Sequence, residues 1–138
     1  MSFFRLFALG DDFDVDAYVK TSPLEFDRVW HRSDPKPGGI GRYANSGLQI
    51  ELGDGRDLAI DEQDRIAAEF IEAHEQPLRE LSDFEGVTHV TLVLHFFIEA
   101  APDLVSTTVS PSFRLMHFAL RAAVSPRYYV ELVRKPFE

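Results

Sequence analysis

The stretch from Gly10 to Asp16, with the sequence GDDFDVD, places four carboxylates within six residues. Clustered carboxylates occur in calcium loops, which take oxygen ligands at positions 1, 3 and 5, a glycine at 6 and a glutamate at 12. A loop that begins at Asp12 has carboxylates at the first three of these positions, but position 6 is Ala17 and position 12 is Pro23. Because the turn-forming glycine and the bidentate ligand are both missing, no calcium site is predicted here.

Helix capping accounts for two of the four carboxylates. Asp14 has the residue type of an N-cap, and Asp16 would then lie in the first turn, where the helix dipole favours a negative charge. Phe13 precedes the cap and can pack onto Tyr18 as a hydrophobic staple. The sequence therefore predicts a short helix that begins after Asp14.

Two groups of residues are candidates for contact with a protein partner. Asp11 and Asp12 are predicted to be exposed charges that could meet a basic protein. Trp30, the only tryptophan, lies with Arg28 and Arg32 on one side of a predicted strand, which is the composition of a binding hot spot. Trp30 also suits a core position, because tryptophan is usually well buried, and the sequence favours this second interpretation.

The segment 87–98, VTHVTLVLHFFI, carries the strongest strand signal in the chain. Alternation along the strand gives one wholly apolar face: Val90, Leu92, Leu94, Phe96 and Ile98. The other face is mixed and holds His89, Thr91, Val93, His95 and Phe97. Such a pattern predicts a central strand with its apolar face under helices and its mixed face partly accessible.

The histidines do not form a metal site by sequence. His89 and His95 share a strand face, but six residues of strand separate them by about 20 Å. The chain has no His-Glu-x-x-His pair and no cysteine, so no metal is predicted. His95 is instead a candidate base in a small-molecule site, with Arg42 and Tyr43 as further candidate ligand-binding residues. His74 and His117 are interpreted as hydrogen-bonded core or boundary residues.

The patterns of nucleotide-dependent and hydrolytic enzymes are missing. The segment 39–44, GIGRYA, formally matches G-x-G-x-x-A, but a dinucleotide site needs a helix after this turn and a predicted strand follows instead. The chain also lacks G-x-x-x-x-G-K and G-x-S-x-G. No cofactor and no catalytic residue are therefore predicted, and the sequence favours a non-enzymatic protein.

The charge balance is strongly acidic. The 138 residues include 23 acidic and 14 basic side chains, a formal net charge of −9. Phosphate backbones repel such a chain, so nucleic-acid binding is not expected, while a basic protein partner is favoured. The opening residues are too short and too acidic for a signal peptide, and no apolar run reaches membrane-spanning length. We therefore expect a cytoplasmic protein that does not contact a membrane.

Five strands and two main helices are predicted around these residues. Apolar and aromatic runs between glycines and prolines mark the strands, and apolar residues every three or four positions mark the helices. The predicted strands are 3–9, 25–32, 48–52, 87–98 and 127–135, and the predicted helices are 15–20, 61–84 and one that begins at 111. These elements suit a single α+β domain over 1–138, a two-layer sandwich whose mixed, mainly antiparallel sheet carries both main helices on one face.

Several helix boundaries are predicted from capping residues. Asp61 or Asp64 is expected to cap the long helix, which should bend or break near Pro77 because proline lacks an N–H. Ser110 is expected to cap the next helix, with Pro111 at its first position. One face of that helix is shared by Phe113, Met116, His117 and Leu120.

The order of several short patterns resembles a known family. GDDFDVDAYV follows the first strand, RVWHRSD lies in the second, VTHVTLVLHFFI precedes VSPSFRLMHFALRAA, and RYYVEL lies in the last. In this order the chain resembles the bacterial domain of unknown function 4279 over nearly its whole length. The resemblance implies an α+β fold and, in some settings, an immunity or accessory role in bacterial competition. It implies no catalytic residue.

Three functional hypotheses follow from the sequence. The first is a non-enzymatic protein-binding module, including an immunity-like inhibitor of a basic partner. The second is a small-molecule-binding or catalytic site around His95 on the mixed sheet face, which requires a concave pocket there. The third is self-association, with the strand FFRLFAL at the edge of the sheet and paired across a two-fold axis.

Overall fold

The computed structural model describes residues 4–53, 58–100 and 111–134. Strands and helices follow one another along the chain in the predicted order, and the long helix is broken near Pro77 as expected. The strands are β1 (Arg5–Gly10), β2 (Arg28–Trp30), β3 (Ser46–Glu51), β4 (His89–Ala100) and β5 (Ser125–Arg134). The helices are α1 (Val15–Thr21), α2 (Ile60–Ala73), α3 (Glu75–Asp83) and α4 (Phe113–Ala122).

The strands form one mixed sheet in the order β2-β3-β1-β4-β5. All neighbouring pairs are antiparallel except β4 and β5, which run parallel and are joined through α4. The helices α2, α3 and α4 pack against one another and against one face of the sheet. The predicted fold class is therefore confirmed: a two-layer α+β arrangement around a mixed, mainly antiparallel five-stranded sheet.

Strand alternation decides which residues form the core. Leu6, Leu48, Leu92 and Leu94 are fully buried, and they meet the buried helix residues on the covered face of the sheet. The core side of the helices consists of Ala67, Ala68, Ile71, Leu78, Leu81, Leu115, Ala119 and Ala122. Residues one position along each strand point to the opposite face, where no described helix packs. That opposite face carries the candidate site.

The start of α1 confirms the capping interpretation of the acidic segment. The Asp14 side chain accepts a hydrogen bond from the backbone N–H of Ala17 at 3.2 Å, and Asp16 lies in the first turn. The rings of Phe13 and Tyr18 pack with their centroids 6.2 Å apart, as a hydrophobic staple requires. Both rings are buried, so the staple also ties α1 to the core.

The long predicted helix is two helices. It breaks at His74, three residues before Pro77, which cannot donate a hydrogen bond back to the preceding turn. The prediction of an Asp61 or Asp64 cap is wrong, because the N-cap is Ala59 and no side chain caps this end. Asp64 instead accepts hydrogen bonds from the backbone N–H and the hydroxyl of Ser112, at 2.9 and 2.5 Å.

The last helix begins two residues later than expected. Its N-cap is Ser112, whose hydroxyl accepts the N–H of Leu115 at 3.1 Å, rather than Ser110, which lies outside the described residues. Ser112 is also hydrogen-bonded to Asp64 of α2, so a tertiary contact holds the start of this helix in place.

Two predictions about strands need correction. The second strand was expected over 25–32, but only Arg28–Trp30 pair with β3. The first strand was proposed as a sheet edge, whereas β1 lies between β3 and β4 and is paired on both sides. Self-association through β1 is therefore contradicted by the strand order. No helix within the described residues is long and apolar enough to cross a membrane.

Candidate functional site

The open face of the sheet forms a cavity of about 670 Å³. All five strands contribute to it, and the loop between β2 and β3 adds a side wall. The floor is apolar and consists of Phe7, Leu9 and Val93. The polar and aromatic part of the lining is Arg5, Arg28, Trp30, Lys36, Tyr43, Asn45, Gln49, His95 and Tyr129.

Trp30 forms one wall because glycine lies opposite it in the neighbouring strand. The register pairs Trp30 of β2 with Gly47 of β3. A Cβ atom on Gly47 would lie 2.4 Å from Cζ2 of Trp30 and 2.7 Å from the carbonyl oxygen of Ala8. Only glycine leaves room for the indole to lie this close to the strand. The Tyr43 ring stacks on the indole, with 5.2 Å between centroids and an angle of 21° between the planes.

The loop between β2 and β3 is folded back on itself and holds Tyr43 in place. The backbone N–H of Tyr43 donates to the carbonyl of Asp34 at 2.9 Å, and the backbone N–H of Lys36 donates to the carbonyl of Gly41 at 2.8 Å. A 3-10 turn at Pro37–Gly39 closes the loop. This hairpin-like loop carries Lys36 and Tyr43 to the same side of the cavity.

Two cations surround the Tyr43 ring. Arg28 donates to the Tyr43 hydroxyl at 2.8 Å, and its guanidinium carbon lies 5.9 Å from the ring centroid. The ammonium nitrogen of Lys36 lies 5.8 Å from the same centroid. Within the described residues, neither Arg28 nor Lys36 is within ion-pair distance of a carboxylate. Their positive charges are therefore held beside an aromatic wall instead of being neutralised.

A chain of hydrogen bonds crosses the floor of the cavity. Arg5 donates to the Gln49 side-chain carbonyl at 2.9 Å, and the Gln49 amide donates to a Glu51 carboxylate oxygen at 2.9 Å. This chain fixes the orientation of the Gln49 amide and lays the Arg5 side chain along the open face. Glu51 itself is not one of the residues that line the cavity.

His95 lies at the β4 side of the cavity and is almost fully buried, with 3% of its surface exposed. It pairs in register with Tyr129 of β5, which is 55% exposed. The mixed face of β4 was expected to be partly accessible: His89 is exposed, whereas Thr91 and Val93 are buried like His95. The described lining of the cavity holds no aspartate or glutamate.

The cavity is electrostatically unlike the rest of the molecule. Its described lining holds Arg5, Arg28 and Lys36 and no acidic residue, in a chain with 23 acidic and only 14 basic side chains. Low-dielectric walls focus such a field, so an anion gains more here than on an open surface. The cavity therefore has the charge to bind an anion, next to the stacked Trp30 and Tyr43 rings and the apolar floor.

The structure brings together residues that the sequence assigned to two different sites. Arg28 and Trp30, proposed for a protein partner, line the same cavity as Tyr43 and His95, proposed for a small ligand. Arg32 and Arg42 are not among the lining residues, although the sequence placed them with these groups. The backbone N–H of Arg32 donates to the Ser46 hydroxyl, and the Arg42 guanidinium donates to the Ser33 carbonyl at 2.8 Å.

The acidic residues lie outside the cavity. Asp11 and Asp12 form an exposed turn after β1, as predicted. Asp16 contacts His31, whose Nε2 lies 2.9 Å from a carboxylate oxygen, and Asp34 approaches the other ring nitrogen at 3.2 Å. Hydrogen bonds to Asp16, and next to Asp34, raise the pKa of His31 above its ordinary value. Among the described residues, no group of three histidines or acids is placed to hold a metal ion.

Several lining residues were missed by sequence reasoning. Arg5 and Gln49 sit on strands at positions that alternate with buried apolar residues, so the period-two pattern places them on the open face without marking a site. Tyr129 is opposite His95 in the register of β4 and β5. Lys36 and Asn45 lie in the loop, where no periodic signal exists. Only the fold of the loop brings them to the cavity.

Comparison with known proteins identifies no relative: no family model, curated protein or solved structure matches the chain. The resemblance to the domain of unknown function 4279 therefore stays a prediction from short patterns. The functional argument depends on the geometry of the cavity.

Proposed function

We propose that this protein binds a small organic anion with an apolar or aromatic body in the cavity on the open sheet face. The observation that carries the proposal is the pair of cations, Arg28 and Lys36, held around the stacked Tyr43 and Trp30 rings without a described carboxylate partner. An organic anion would supply the missing negative charge and would place its body on the aromatic wall and the apolar floor.

The size of the cavity supports a small ligand. Small-molecule sites usually span about 300–1,000 Å³ and combine apolar walls with a few polar groups. The cavity of about 670 Å³ falls in this range, with Phe7, Leu9 and Val93 as apolar floor and Gln49 and Asn45 as hydrogen-bonding groups. A ligand of one or two rings with a single acidic group has matching dimensions.

The lining supports binding in preference to catalysis. Covalent catalysis needs a nucleophile within hydrogen-bond reach of a base. The described lining includes no serine, threonine or cysteine, and Lys36 and Tyr43 lie on the loop beside Arg28 and Trp30. His95 is buried at the β4 side of the cavity. The loop that carries Tyr43 joins β2 and β3, which lie on the other side of β1 in the strand order. We therefore propose a binding protein, and its lack of cysteine suits action in the reducing cytoplasm.

The single tryptophan provides a direct test. Trp30 is the only tryptophan and it lines the cavity, so its emission should change when a ligand binds. Benzoate, phenyl phosphate and hexanoate should each be titrated against a neutral analogue, benzamide, benzyl alcohol or hexanamide. At least one anion should change the emission saturably and raise the melting temperature, and its neutral analogue should bind at least about tenfold more weakly.

Charge-neutral variants locate the site. Arg28→Gln and Lys36→Gln should each weaken binding of the preferred anion by about tenfold or more, because hydrogen bonds to charged groups contribute about 1.5–3 kcal/mol. Lys20→Gln removes an exposed lysine of α1 outside the cavity and is the matched control. If the anions and neutral analogues bind equally, or the control weakens binding as much as the two cavity variants, the proposal is wrong.

Binding of a basic protein is a second candidate, supported by the exposed turn of Asp11 and Asp12. Within the described residues neither carboxylate forms an ion pair. Pull-down from native lysate at low and moderate salt should recover a basic partner, and Asp11→Asn with Asp12→Asn should slow its association most at low salt. An immunity-like role rests on the family resemblance alone. Equal recovery of partners by wild type and the double variant would remove this candidate.

A further inference from the structure

The Tyr43 side of the cavity has its hydrogen-bond acceptors already engaged with neighbouring side chains. The Tyr43 hydroxyl oxygen accepts a hydrogen bond from Arg28 at 2.8 Å. The Asn45 side-chain oxygen accepts the indole N–H of Trp30 at 3.4 Å. All four of these residues line the cavity. Because both oxygens already bind groups of the protein, this wall offers mainly hydrogen-bond donors to a ligand.

Four donor groups remain for a ligand on this side. The Arg28 guanidinium carries several N–H groups, and only one of its nitrogens is bonded to Tyr43. Among the described residues, no acceptor engages the Lys36 ammonium, the Tyr43 hydroxyl hydrogen or the Asn45 amide N–H groups. Two of the four groups are charged, so together they complement an anion with several oxygen atoms. We refer to Arg28, Lys36, Tyr43 and Asn45 as the donor wall.

A phosphate monoester matches the donor wall better than a carboxylate does. A carboxylate has two oxygen atoms and one negative charge, whereas a phosphate monoester has three terminal oxygens and a charge of about −1.5 to −2 at pH 7. The Arg28 guanidinium carbon and the Lys36 ammonium nitrogen lie 5.9 and 5.8 Å from the centre of the same Tyr43 ring. A dianion beside this ring neutralises both cations, while a carboxylate leaves one positive charge without a partner.

The donor wall is held in position by the rest of the protein. The Tyr43 ring stacks on Trp30, and the indole is bonded in turn to Asn45. The backbone N–H of Tyr43 donates to the Asp34 carbonyl at 2.9 Å, and its carbonyl accepts the Ser33 N–H at 2.9 Å. Donors that are already ordered lose little conformational entropy on binding, which favours selectivity for one shape of anion.

We propose that the cavity takes a phosphate monoester with an aromatic body, and that the donor wall binds its phosphate group. This inference rests on the proposed anion site and names the class of ligand for it. The phosphate oxygens accept hydrogen bonds from the donor wall, and the aromatic body lies over the apolar floor of Phe7, Leu9 and Val93. The charge of the phosphate and the ring of the body are then recognised by different parts of one cavity.

Phenyl phosphate and phenyl sulfate separate the effect of charge from the effect of shape. Both esters have three terminal oxygens on a phenyl ring, but at about pH 8 the phosphate is a dianion and the sulfate is a monoanion. Titration against the emission of Trp30 should show phenyl phosphate binding at least about tenfold more tightly than phenyl sulfate and benzoate. Inorganic phosphate should bind more weakly than phenyl phosphate, because it has no ring to place on the apolar floor.

Protonation of the ligand gives a second measurement on the unaltered protein. The second pKa of a phosphate monoester is about 6, so phenyl phosphate is mostly a monoanion at about pH 5. Its preference over phenyl sulfate should therefore fall to within about twofold at that pH. Phenyl sulfate is a monoanion at both pH values, so the ratio of the two affinities corrects for any titration of the protein itself.

Lys36→Gln tests whether the donor wall is the part of the cavity that recognises the dianion. The variant leaves one of the two cations, so the preference for phenyl phosphate over phenyl sulfate at about pH 8 should fall to within about threefold. Lys20→Gln removes a lysine of α1 outside the cavity and should keep the full preference. Circular dichroism should show that both variants are folded.

The outcomes separate this inference from the proposed function. Saturable binding of phenyl sulfate or benzoate as tight as that of phenyl phosphate at about pH 8 would overturn the phosphate class and leave the anion site intact. A full preference for phenyl phosphate in Lys36→Gln would overturn the assignment of the phosphate to the donor wall. Failure of all the anions to bind would overturn the anion site and the phosphate class together.

Discussion

Gln63 is the polar residue on which the β4 side of the cavity depends. It lies in α2 and is fully buried, yet its side chain makes three hydrogen bonds. Its amide nitrogen donates to the carbonyl of His95 at 2.7 Å and to that of Leu58 at 2.9 Å, and its oxygen accepts the His95 N–H at 3.1 Å. Among the described residues, the pairing of β1 with β4 begins at Arg5 opposite Val93, two residues before His95. The Gln63 amide thus acts there as a neighbouring strand would.

Gln63→Met tests this role with little change in side-chain shape. The variant removes three hydrogen bonds, each with a net contribution of about 0.5–1.5 kcal/mol, and it leaves the His95 backbone groups buried without this partner. We expect a loss of about 2–4 kcal/mol in the free energy of unfolding. For a chain of this length that corresponds to a melting temperature lower by roughly 8–16 °C.

Urea unfolding and thermal melts measure the effect, and hydrogen exchange locates it. The His95 amide should exchange markedly faster in the variant than in the wild type, while amides of α4 should follow only the global change. Gln76→Met is the matched control, because Gln76 makes only an exposed hydrogen bond of 3.3 Å to Glu80. If Gln63→Met lowers the free energy of unfolding no more than Gln76→Met does, the Gln63 amide does not replace the hydrogen bonds of a neighbouring strand.

The remaining predictions concern the cavity wall and the acidic segment. Gly47→Ala should lower stability by about 1–3 kcal/mol and shift the emission of Trp30, because the added Cβ overlaps the indole; an unchanged spectrum would contradict the close approach. Asp14→Ala should cost about 0.5–2 kcal/mol in thermal melts, as N-caps do, and a neutral result would show that another group satisfies the helix. His31 has a raised pKa when folded, so its contribution is complete below its ordinary pKa of 6.5 and is lost as the pH rises through the folded pKa. The melting temperature of His31→Gln should therefore fall further below wild type at about pH 6 than at about pH 8, and an equal difference would exclude the ion pair with Asp16.

Local signals in the sequence were sufficient for most of the fold. The cap at Asp14, the staple between Phe13 and Tyr18, and the break near Pro77 depend on residues within one or two turns of each other. The alternation of leucines with polar residues in 87–98 correctly predicted an interior strand with one face under helices. Interactions of this range are fixed by backbone geometry, so a pattern of residue types is enough to predict them.

The candidate site depends on longer-range contacts, which the sequence does not encode locally. Trp30 has the composition of either a core residue or a binding residue, and its place is decided by Gly47, a residue 17 positions away. The loop that brings Lys36 to Tyr43 has no periodic pattern from which its fold could be predicted. Strand order is also a global property, and β1 could not be assigned to the interior of the sheet before its partners were known.

The acidic segment from Gly10 to Asp16 has a structural role in the site even though it lies outside the cavity. Asp14 begins α1, and the next carboxylate along that helix, Asp16, contacts His31. His31 directly follows the strand that carries Arg28 and Trp30, and its backbone N–H donates to Asp34 at 2.8 Å. Asp34 in turn is joined to the backbone of Tyr43 at 2.9 Å.

This series of contacts connects the acidic segment to the aromatic wall of the cavity. Its carboxylates are engaged with a helix end, a histidine and loop backbone, whereas the cations Arg28 and Lys36 are left facing the cavity without a described acidic partner. A strongly acidic chain can thus present a positively charged pocket, because folding separates the carboxylates that hold the loop from the cations that the loop and strand display. A carboxylate placed in the cavity should abolish anion binding. Asn45→Asp introduces one there with almost no change in side-chain shape. Wild-type affinity of Asn45→Asp for the preferred anion would show that the charge of the cavity does not determine its ligand.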